Sequence, residues 1–377
     1  MKGFMLFLLV SFSKLCFAVE PSQSAVVSSK PSATKAGIQV LAHGGNAFDA
    51  ANSIASELFF TKSTQPDTGV WLVHDASTAM DYVIEGKMGD LLSYIGQKYG
   101  KLAASKSLPP TSNKVTVSSP IVGEYKGMKI VTVPLPAKGG AGVILALDIL
   151  NEFHLTDLSE ADQKHLIAET IRRVNCDIIN QDKPSIDLKD IINTDHIHQL
   201  RANIKMNRVS VDTRDCHTGN AFKDSLHFSV LDQAGNQVSG ILMAQNTPGL
   251  DLAAPLFFET QDGKGMLSAS GGYRTLAAML ISLLTAKDDT HPQKWVAAPR
   301  FMQVSPNLIE FEKDAFTVPL QNALKLRAHS LKQVENFGDV QGIFWETKNN
   351  KVYAASDPRG EGAAETKTVN PTDKAAP

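Results

Sequence analysis

The sequence has little cysteine, little excess charge and no apolar run long enough to span a bilayer. Of its 377 residues three are cysteines, and 37 lysine and arginine residues stand against 39 aspartate and glutamate residues. A formal charge of -2 provides no field for nucleic acid or an anionic membrane, so neither is expected as a partner. The sequence also lacks a P-loop and a dinucleotide-binding pattern, and we expect no cofactor and no metal. Its 43% of hydrophobic residues suffices for a full globular core.

The first 18 residues have the pattern of a secretory signal. A basic start at Lys2, the apolar run Phe4 to Val10 and the small residues Cys16 and Ala18 predict cleavage after Ala18. The apolar run is too short to span a bilayer, so we expect an exported protein, periplasmic or secreted, without a membrane span. A retained N-terminal anchor is the alternative, and lipid attachment at Cys16 is weakly supported.

The remaining cysteines and one histidine pair suggest no metal centre. Cys176 and Cys216 either pair in an oxidising compartment or stay as two inert thiols, and the sequence leaves both open. His196 and His198 form a His-x-His pair, but no spacing supplies a third and fourth ligand. A Cys216 nucleophile beside His217 is also disfavoured, because adjacent side chains do not generally face each other.

Helices alternate with β-hairpins along the chain, rather than with single parallel strands. Pro31 opens one helix, and Asn46 and Ser159 cap two others. Residues 273 to 285 are apolar almost all round, which predicts a helix packed on several sides. Hairpins are expected within 70–85, 225–243 and 340–354, little structure in 86–120, and a disordered tail over 364–377. This order predicts an α+β fold of antiparallel sheets covered by helices.

Five stretches, in this order, resemble the γ-glutamyltranspeptidase (glutathione hydrolase) family. They are Ser28-Ser29-Lys30-Pro31 with Ala36-Gly37 and Gly44-Gly45-Asn46-Ala47-Phe48-Asp49-Ala50-Ala51, Gly123-Glu124-Tyr125-Lys126-Gly127 with Pro134-Leu135-Pro136-Ala137-Lys138-Gly139-Gly140, His227-Phe228-Ser229-Val230-Leu231-Asp232 with Gly235-Asn236, Ala297-Ala298-Pro299-Arg300-Phe301, and Ala354-Ala355-Ser356-Asp357-Pro358-Arg359-Gly360.

The resemblance implies a four-layer αββα sandwich of the N-terminal-nucleophile hydrolase type. Such a precursor cleaves itself and exposes a threonine, whose α-amine then serves as the base. Carried onto this chain, cleavage falls between Asp224 and Ser225. The large-subunit-like part is then 19–224, and the small-subunit-like part of the same domain is 225–363. Ser225 becomes the nucleophile, with Gly271 and Gly272 as the oxyanion donors. The alternative interpretation makes Ser225 a strand-edge serine in an uncut chain.

Several positions depart from the family's pattern. The family expects a threonine and an asparagine on the strand after the nucleophile, where this chain has Met243 and Gln245. A family arginine that holds the glutamyl α-carboxylate is missing, and Lys87 can replace it only as a point charge. Lys87 and Gln245 are therefore the candidate substrate-binding residues, although Lys87 also suits a solvated loop.

Three functional hypotheses remain from the sequence. The first is an exported hydrolase of small γ-glutamyl compounds such as glutathione, with weakened activity and hydrolysis favoured over transfer. The second is an uncleaved, inactive family member that binds a ligand or a protein. The third is a hydrolase of some other amide.

Overall fold

The described part of the chain consists of helices and mostly antiparallel strands. The computed structural model describes residues 19–61, 66–102, 108–112, 114–179, 192–210, 225–243, 252–270, 272–335 and 337–368. Its α-helices there are α1 Pro31–Ala42, α2 Ala47–Thr61, α3 Met88–Tyr99, α4 Lys138–Asn151, α5 Glu160–Ile179, α6 Thr194–Ala202, α7 Thr275–Ala286, α8 Pro292–Ala297 and α9 Val318–Leu326. Its strands there are β1 Ser24–Ser28, β2 Thr68–Asp75, β3 Met80–Lys87, β4 Val115–Ser118, β5 Ile121–Tyr125, β6 Met128–Thr132, β7 Leu226–Leu231, β8 Gln237–Met243, β9 Leu256–Glu259, β10 Gly263–Ser270, β11 Phe301–Gln303, β12 Leu308–Glu312, β13 Ser330–Val334, β14 Asp339–Glu346, β15 Lys351–Ser356 and β16 Ala363–Lys367.

Two large antiparallel sheets face each other. The seven-stranded sheet has the order β16-β1-β7-β8-β2-β3-β4, and the six-stranded sheet has the order β15-β14-β10-β9-β6-β5. A small sheet of β11, β12 and β13 lies apart from them, and its β12–β13 pair is parallel. The strand β7, which follows Ser225, therefore lies inside the seven-stranded sheet, between β1 and β8.

Alternating side chains build three layers of core around these sheets. On β2, Trp71 and Val73 face outward toward the helices, whereas Val70 and Leu72 face the second sheet. Helices α1, α2 and α3 cover the outer face of the seven-stranded sheet, and α4, α7 and α8 cover that of the six-stranded sheet. The predicted α+β fold, a four-layer αββα sandwich, is thus confirmed.

Helix α7 is buried on nearly all sides, as its apolar sequence predicts. It packs between β10 of the six-stranded sheet and helix α4. Its one central hydroxyl, on Ser282, donates a hydrogen bond to the Trp295 carbonyl at 3.0 Å. A helix without a polar face is stable here because it has no solvent-facing side.

Two of the family-like stretches meet at the beginning of α2. Asn46 Oδ1 accepts hydrogen bonds from the Phe48 and Asp49 amides, and the Asp49 carboxylate accepts one from the Asn46 amide. The Ala47 amide donates to Asp232 at 2.9 Å, so the β7–β8 turn is tied to the same helix. The predicted Asn46 cap is confirmed, and this polar junction fixes α2 against β7.

The last two family-like stretches meet in a buried ionic network, which we name the framework network: Arg300, Glu312, Asp357 and Arg359. The fully buried side chains of Arg300 and Asp357 form an ion pair, and Asp357 also accepts from the Val340 amide at 3.0 Å. Arg359 donates to both Glu312 oxygens at 2.6 Å. The network joins β12 and β14 to the segment that follows β15.

The structure corrects two predictions of disorder. The stretch 86–120 contains α3 and β4, because Leu91, Leu92 and Ile95 supply a buried helix face that the loop-like flanks obscured. The predicted disordered tail is wrong at its beginning, where β16 pairs with β1. The exposed side chains of β16 give no hydrophobic signal, but its backbone completes the sheet edge. The predicted signal lies outside the described residues, within which no helix is both long and apolar enough to cross a bilayer.

Candidate active site

Ser225 directly precedes β7, at one end of the space between the two sheets. Leu226 pairs with Leu242 across β7 and β8, so Ser225, one residue earlier, lies opposite Met243. Met243 pairs with Thr68 of β2, and Thr68 pairs with Lys87 of β3. Alternation places these four residues on the face toward the six-stranded sheet. We call this row Ser225, Met243, Thr68 and Lys87 the mouth row. At about 4.8 Å per strand, its ends lie about 14 Å apart.

The predicted oxyanion turn follows β10 of the six-stranded sheet, the sheet opposite the mouth row. Strand β10 ends at Ser270, and the buried Gly272 begins a short turn into α7. The φ of Gly272 is +56°, a left-handed conformation that glycine adopts without steric cost. Gly271 lies outside the described residues, as do Asp224 on the other side of the predicted cleavage point and Gln245. Ser225 and Gly272 thus lie on opposite sheets, and the role of each stays a prediction.

The position beside Ser225 is apolar. Met243 is 3% exposed and packs with Ile241 and Ala253 in a small hydrophobic cluster. A thioether is a weak hydrogen-bond acceptor and no donor, so Met243 cannot support a serine hydroxyl as a threonine would. The next hydroxyl of the mouth row, on Thr68, is two strand spacings, about 10 Å, from Ser225.

The far end of the mouth row carries two charged side chains of β3. Lys87 is exposed and forms no ion pair with another described residue. Glu85 lies two residues earlier on the same face, pairs across the strand with the inward-facing Val70, and is half-buried. Burial raises the pKa of the Glu85 carboxyl. Sequence inspection missed Glu85, although its alternation with Lys87 in a β-strand was readable. Together the two side chains offer an anion and a cation at one place.

A polar chain that the sequence did not reveal crosses between the sheets next to the mouth row. His227 is fully buried; its Nδ1 lies 3.1 Å from Ser268 Oγ, and its Nε2 lies 3.3 Å from Asp339 Oδ2. The three residues come from β7, β10 and β14. The sequence signal for His227 was its place in a family-like stretch, which assigned it no partner. We name Asp339, His227 and Ser268 the inter-sheet chain.

A second buried cluster combines His165, Glu169 and His329, whose ligand atoms all lie within 4.8 Å of one another. The Glu169 carboxylate is already ion-paired with Arg173 and accepts from the Ser210 amide and from Gln303. His165 Nε2 faces the Lys205 carbonyl at 2.8 Å, so it must donate. Burial, and secondarily the neighbouring His165, lowers the pKa of His329 to about 4. With its one carboxylate neutralised by an arginine, this donor set does not fit a metal dication.

Three other residues singled out from the sequence lie on helices α5 and α6 rather than on the two large sheets. His196 is on α6 and bonds to Asp177 at 2.7 Å, and His198 is exposed on the same helix. Cys176 is disulfide-bonded, whereas Cys216 lies outside the described residues.

Comparison with known proteins agrees with the geometry. A sequence model of the Gamma-glutamyltranspeptidase family matches residues 110–247 and 250–366. The glutathione hydrolase proenzyme of Bacillus subtilis subsp. natto is 27% identical over 202 residues, which cover 48% of this chain and 34% of that protein. The glutathione hydrolase proenzyme of Pseudomonas aeruginosa is 26% identical over 357 residues, covering 79% of this chain and 63% of that protein. This chain therefore spans less than two thirds of either relative.

A solved structure shares the architecture over nearly the whole chain. The cephalosporin acylase from Bacillus halodurans superposes with a TM-score of 0.74 at 15% sequence identity, covering 96% of this chain and 99% of that one. At such low identity the likeness supports the fold alone.

Proposed function

The chain belongs to the γ-glutamyltranspeptidase family, and from this premise we propose that it is an exported, self-cleaving amide hydrolase with Ser225 as its N-terminal nucleophile. The observation that carries the proposal is the place of Ser225. It stands at the entry of a central strand, beside the inter-sheet space, and the glycine turn follows a strand of the opposite sheet. Export rests on the predicted signal over 1–18.

The proposed self-cleavage uses the Ser225 hydroxyl. Its Oγ attacks the carbonyl carbon of Asp224, the peptide C–N bond breaks as the nitrogen takes up a proton, and water hydrolyses the resulting ester. The products are a carboxylate on Asp224 and a free α-amine on Ser225. An α-amine has a pKa of about 8, against about 10 for a lysine, so it can serve as a base near neutral pH.

The substrate reaction repeats this chemistry on an amide. The Ser225 hydroxyl gives its proton to the α-amine and attacks the amide carbonyl, and the leaving amine takes up that proton. Water then releases the acid from the ester and restores the hydroxyl. The backbone N–H groups of Gly271 and Gly272 are the proposed donors to the oxyanion.

The proposed substrates are γ-glutamyl compounds such as glutathione. The support is the charge pair on β3, where Lys87 suits the glutamyl α-carboxylate and Glu85 suits the α-ammonium. Both face the side on which Ser225 lies, at a separation that a glutamyl chain and a lysine side chain can span together. Gln245 remains a proposed substrate contact.

The apolar neighbours of Ser225 favour slow chemistry and also a second candidate function. Met243, which lies opposite Ser225, cannot give the hydroxyl the polar support that the family's pattern expects. An uncleaved, inactive member that binds a small ligand or a protein is therefore the alternative. If the enzyme is active, we expect hydrolysis rather than transfer, because an open pocket admits water. Product analysis with an added dipeptide acceptor tests this, and dominant transfer would contradict it.

The decisive experiment is the intact mass, with a denaturing gel, of the full chain recovered from the exported fraction. We expect two fragments that divide before Ser225, and a single chain for the matched variant Ser225→Ala. Ser225→Thr, which keeps the hydroxyl, should still be cleaved. An uncut wild-type chain that begins near Val19 would overturn the proposed mechanism and favour the binding alternative.

A further inference from the structure

The inter-sheet chain has a defined hydrogen-bond direction. A carboxylate accepts hydrogen bonds, so in a neutral His227 imidazole the Nε2–H donates to Asp339 Oδ2. The His227 Nδ1 is then an acceptor, and the Ser268 hydroxyl donates to it. The Gln341 side chain donates to the other Asp339 oxygen at 3.1 Å. One imidazole tautomer is therefore held from both sides.

Each residue of the inter-sheet chain lies close, in sequence or across a strand pair, to the proposed nucleophile Ser225 or to the glycine turn after β10. His227 is two residues after Ser225. Ser268 is three residues before Gly271, and Asp339 is the cross-strand partner of Ser270. The His227 backbone is itself anchored, because its carbonyl accepts from the Ser29 amide at 3.0 Å.

The surroundings show that the position of Asp339 is tightly set. A β-carbon on Gly360 would lie 2.8 Å from Asp339 Oδ2 and 2.9 Å from its Cγ. The φ of Gly360 is not in the left-handed region, so the glycine is explained by the space that the carboxylate needs. Deeper between the sheets, contacts are mainly apolar side chains such as Leu72 and Met266, which attract without direction. A hydrogen-bonded imidazole, in contrast, sets direction and distance.

We propose that His227 is a positioning residue, which the inter-sheet chain uses to hold the Ser225 end of β7 at a set distance from the glycine turn after β10. This inference rests on the proposed function, because it concerns the geometry of the same nucleophile. His227 does not touch the reacting atoms. It acts through β7, and Asp339 and Ser268 fix it to the opposite sheet.

The test measures the self-cleavage rate of the full chain for wild type, His227→Ala, His227→Gln, Asp339→Asn and Gly360→Ala. A displacement of about 1 Å at a reacting centre can cost about 100-fold in rate, so we expect a loss of that order for His227→Ala. His227→Gln, whose amide can still donate toward Asp339, should recover part of the loss. Asp339→Asn and Gly360→Ala should each slow cleavage while His227 is unchanged.

The matched control is Ser282→Ala, which removes another buried side-chain hydrogen bond, one that joins α7 to the Trp295 carbonyl and does not connect the two sheets. It should lower the melting temperature without slowing cleavage at a temperature where it is folded. Circular dichroism identifies any variant that fails to fold. If His227→Ala fails to fold, the test rests on Gly360→Ala, because this variant keeps all three residues of the inter-sheet chain.

A spectroscopic measurement provides an independent result. In uncleavable Ser225→Ala with ¹⁵N-labelled histidine, we expect His227 to show the Nε2–H tautomer with slow proton exchange, and Asp339→Asn to alter both. Two results would overturn the positioning role alone. One is a His227→Ala variant that is cleaved as fast as a cleaving wild type, and the other is an Nδ1–H tautomer of His227 in the spectrum. A wild-type chain that is never cleaved overturns the proposed function itself, and the positioning role with it.

Discussion

The framework network and the mouth row lie in the same sandwich but differ in the burial and the bonding partners of their polar side chains. In the framework network Arg300 and Asp357 are fully buried, and each is bonded to backbone as well as to the other. In the mouth row Met243 replaces a polar residue, and at its far end Lys87 is exposed without an ion pair to any residue the structure describes. Family resemblance is strong in the first region because those residues hold the fold. It is weak in the second, where they would hold substrate.

A family motif can be retained because its residues stabilise the fold or because they bind substrate. The stretches that contain Arg300 and Asp357 are recognisable in sequence, yet the structure assigns them a role in packing. A buried charge cannot be lost alone without exposing its partner to an apolar environment, so such pairs are retained together. A substrate clamp carries no such penalty when it changes. Motif matches therefore establish the family here more firmly than they establish the activity.

The largest expected effect is in the framework network. Asp357→Ala leaves the guanidinium of Arg300 buried without its carboxylate, which we expect to cost about 3–5 kcal/mol in the free energy of unfolding. Urea denaturation followed by circular dichroism measures this. Lys30→Met, which removes an exposed ion pair with Glu361, is the control and should leave the midpoint unchanged. Equal effects of the two variants would contradict the assignment of Asp357 to the framework.

The His165–His329 pair, which belongs to neither the framework network nor the mouth row, predicts that stability falls in acid. Because burial lowers the pKa of His329 to about 4, the unfolded chain binds this proton more readily than the folded chain between pH 4 and about 6.5. Stability should thus fall as the pH is lowered through that window, by up to about 3 kcal/mol. His329→Gln should flatten the dependence, whereas His43→Gln, at an exposed helix end, should not. An unchanged slope in His329→Gln would place the titration elsewhere.

The smallest expected effect concerns substrate binding by Glu85 at the far end of the mouth row. If Glu85 binds the α-ammonium, Glu85→Gln should reduce the preference for a γ-glutamyl anilide over its glutaryl analogue, which lacks the amino group, by about tenfold. The specificity constants of the two substrates measure this. Glu259→Gln alters a carboxyl at the opposite end of the inter-sheet space and should leave the ratio unchanged. A ratio that stays constant in Glu85→Gln would favour an amide substrate without a glutamyl group.

Local patterns predicted most of the fold's parts. The cap at Asn46, the beginning of α1 at Pro31 and the hairpin within 225–243 are all found in the structure. These features depend on residues within a few positions of each other, so local sequence patterns are sufficient to predict them. The edge strand β16 was missed because its stability comes from hydrogen bonds to β1, more than 330 residues earlier in the chain.

In the candidate site, too, local features were predictable from the sequence and long-range contacts were not. The sequence by itself determined the family, the layered fold and Ser225 as the candidate nucleophile, because a motif order and a strand alternation are local and readable. Only the tertiary structure decided which side chains face one another across the sandwich. It brought His227 to Ser268 and Asp339, placed Glu85 beside Lys87 on an inward face, and assigned Arg300 and Asp357 to the framework. The physical reason is that these contacts join strands of two sheets, and their partners depend on register and on the packing of the sheets, which no local pattern records.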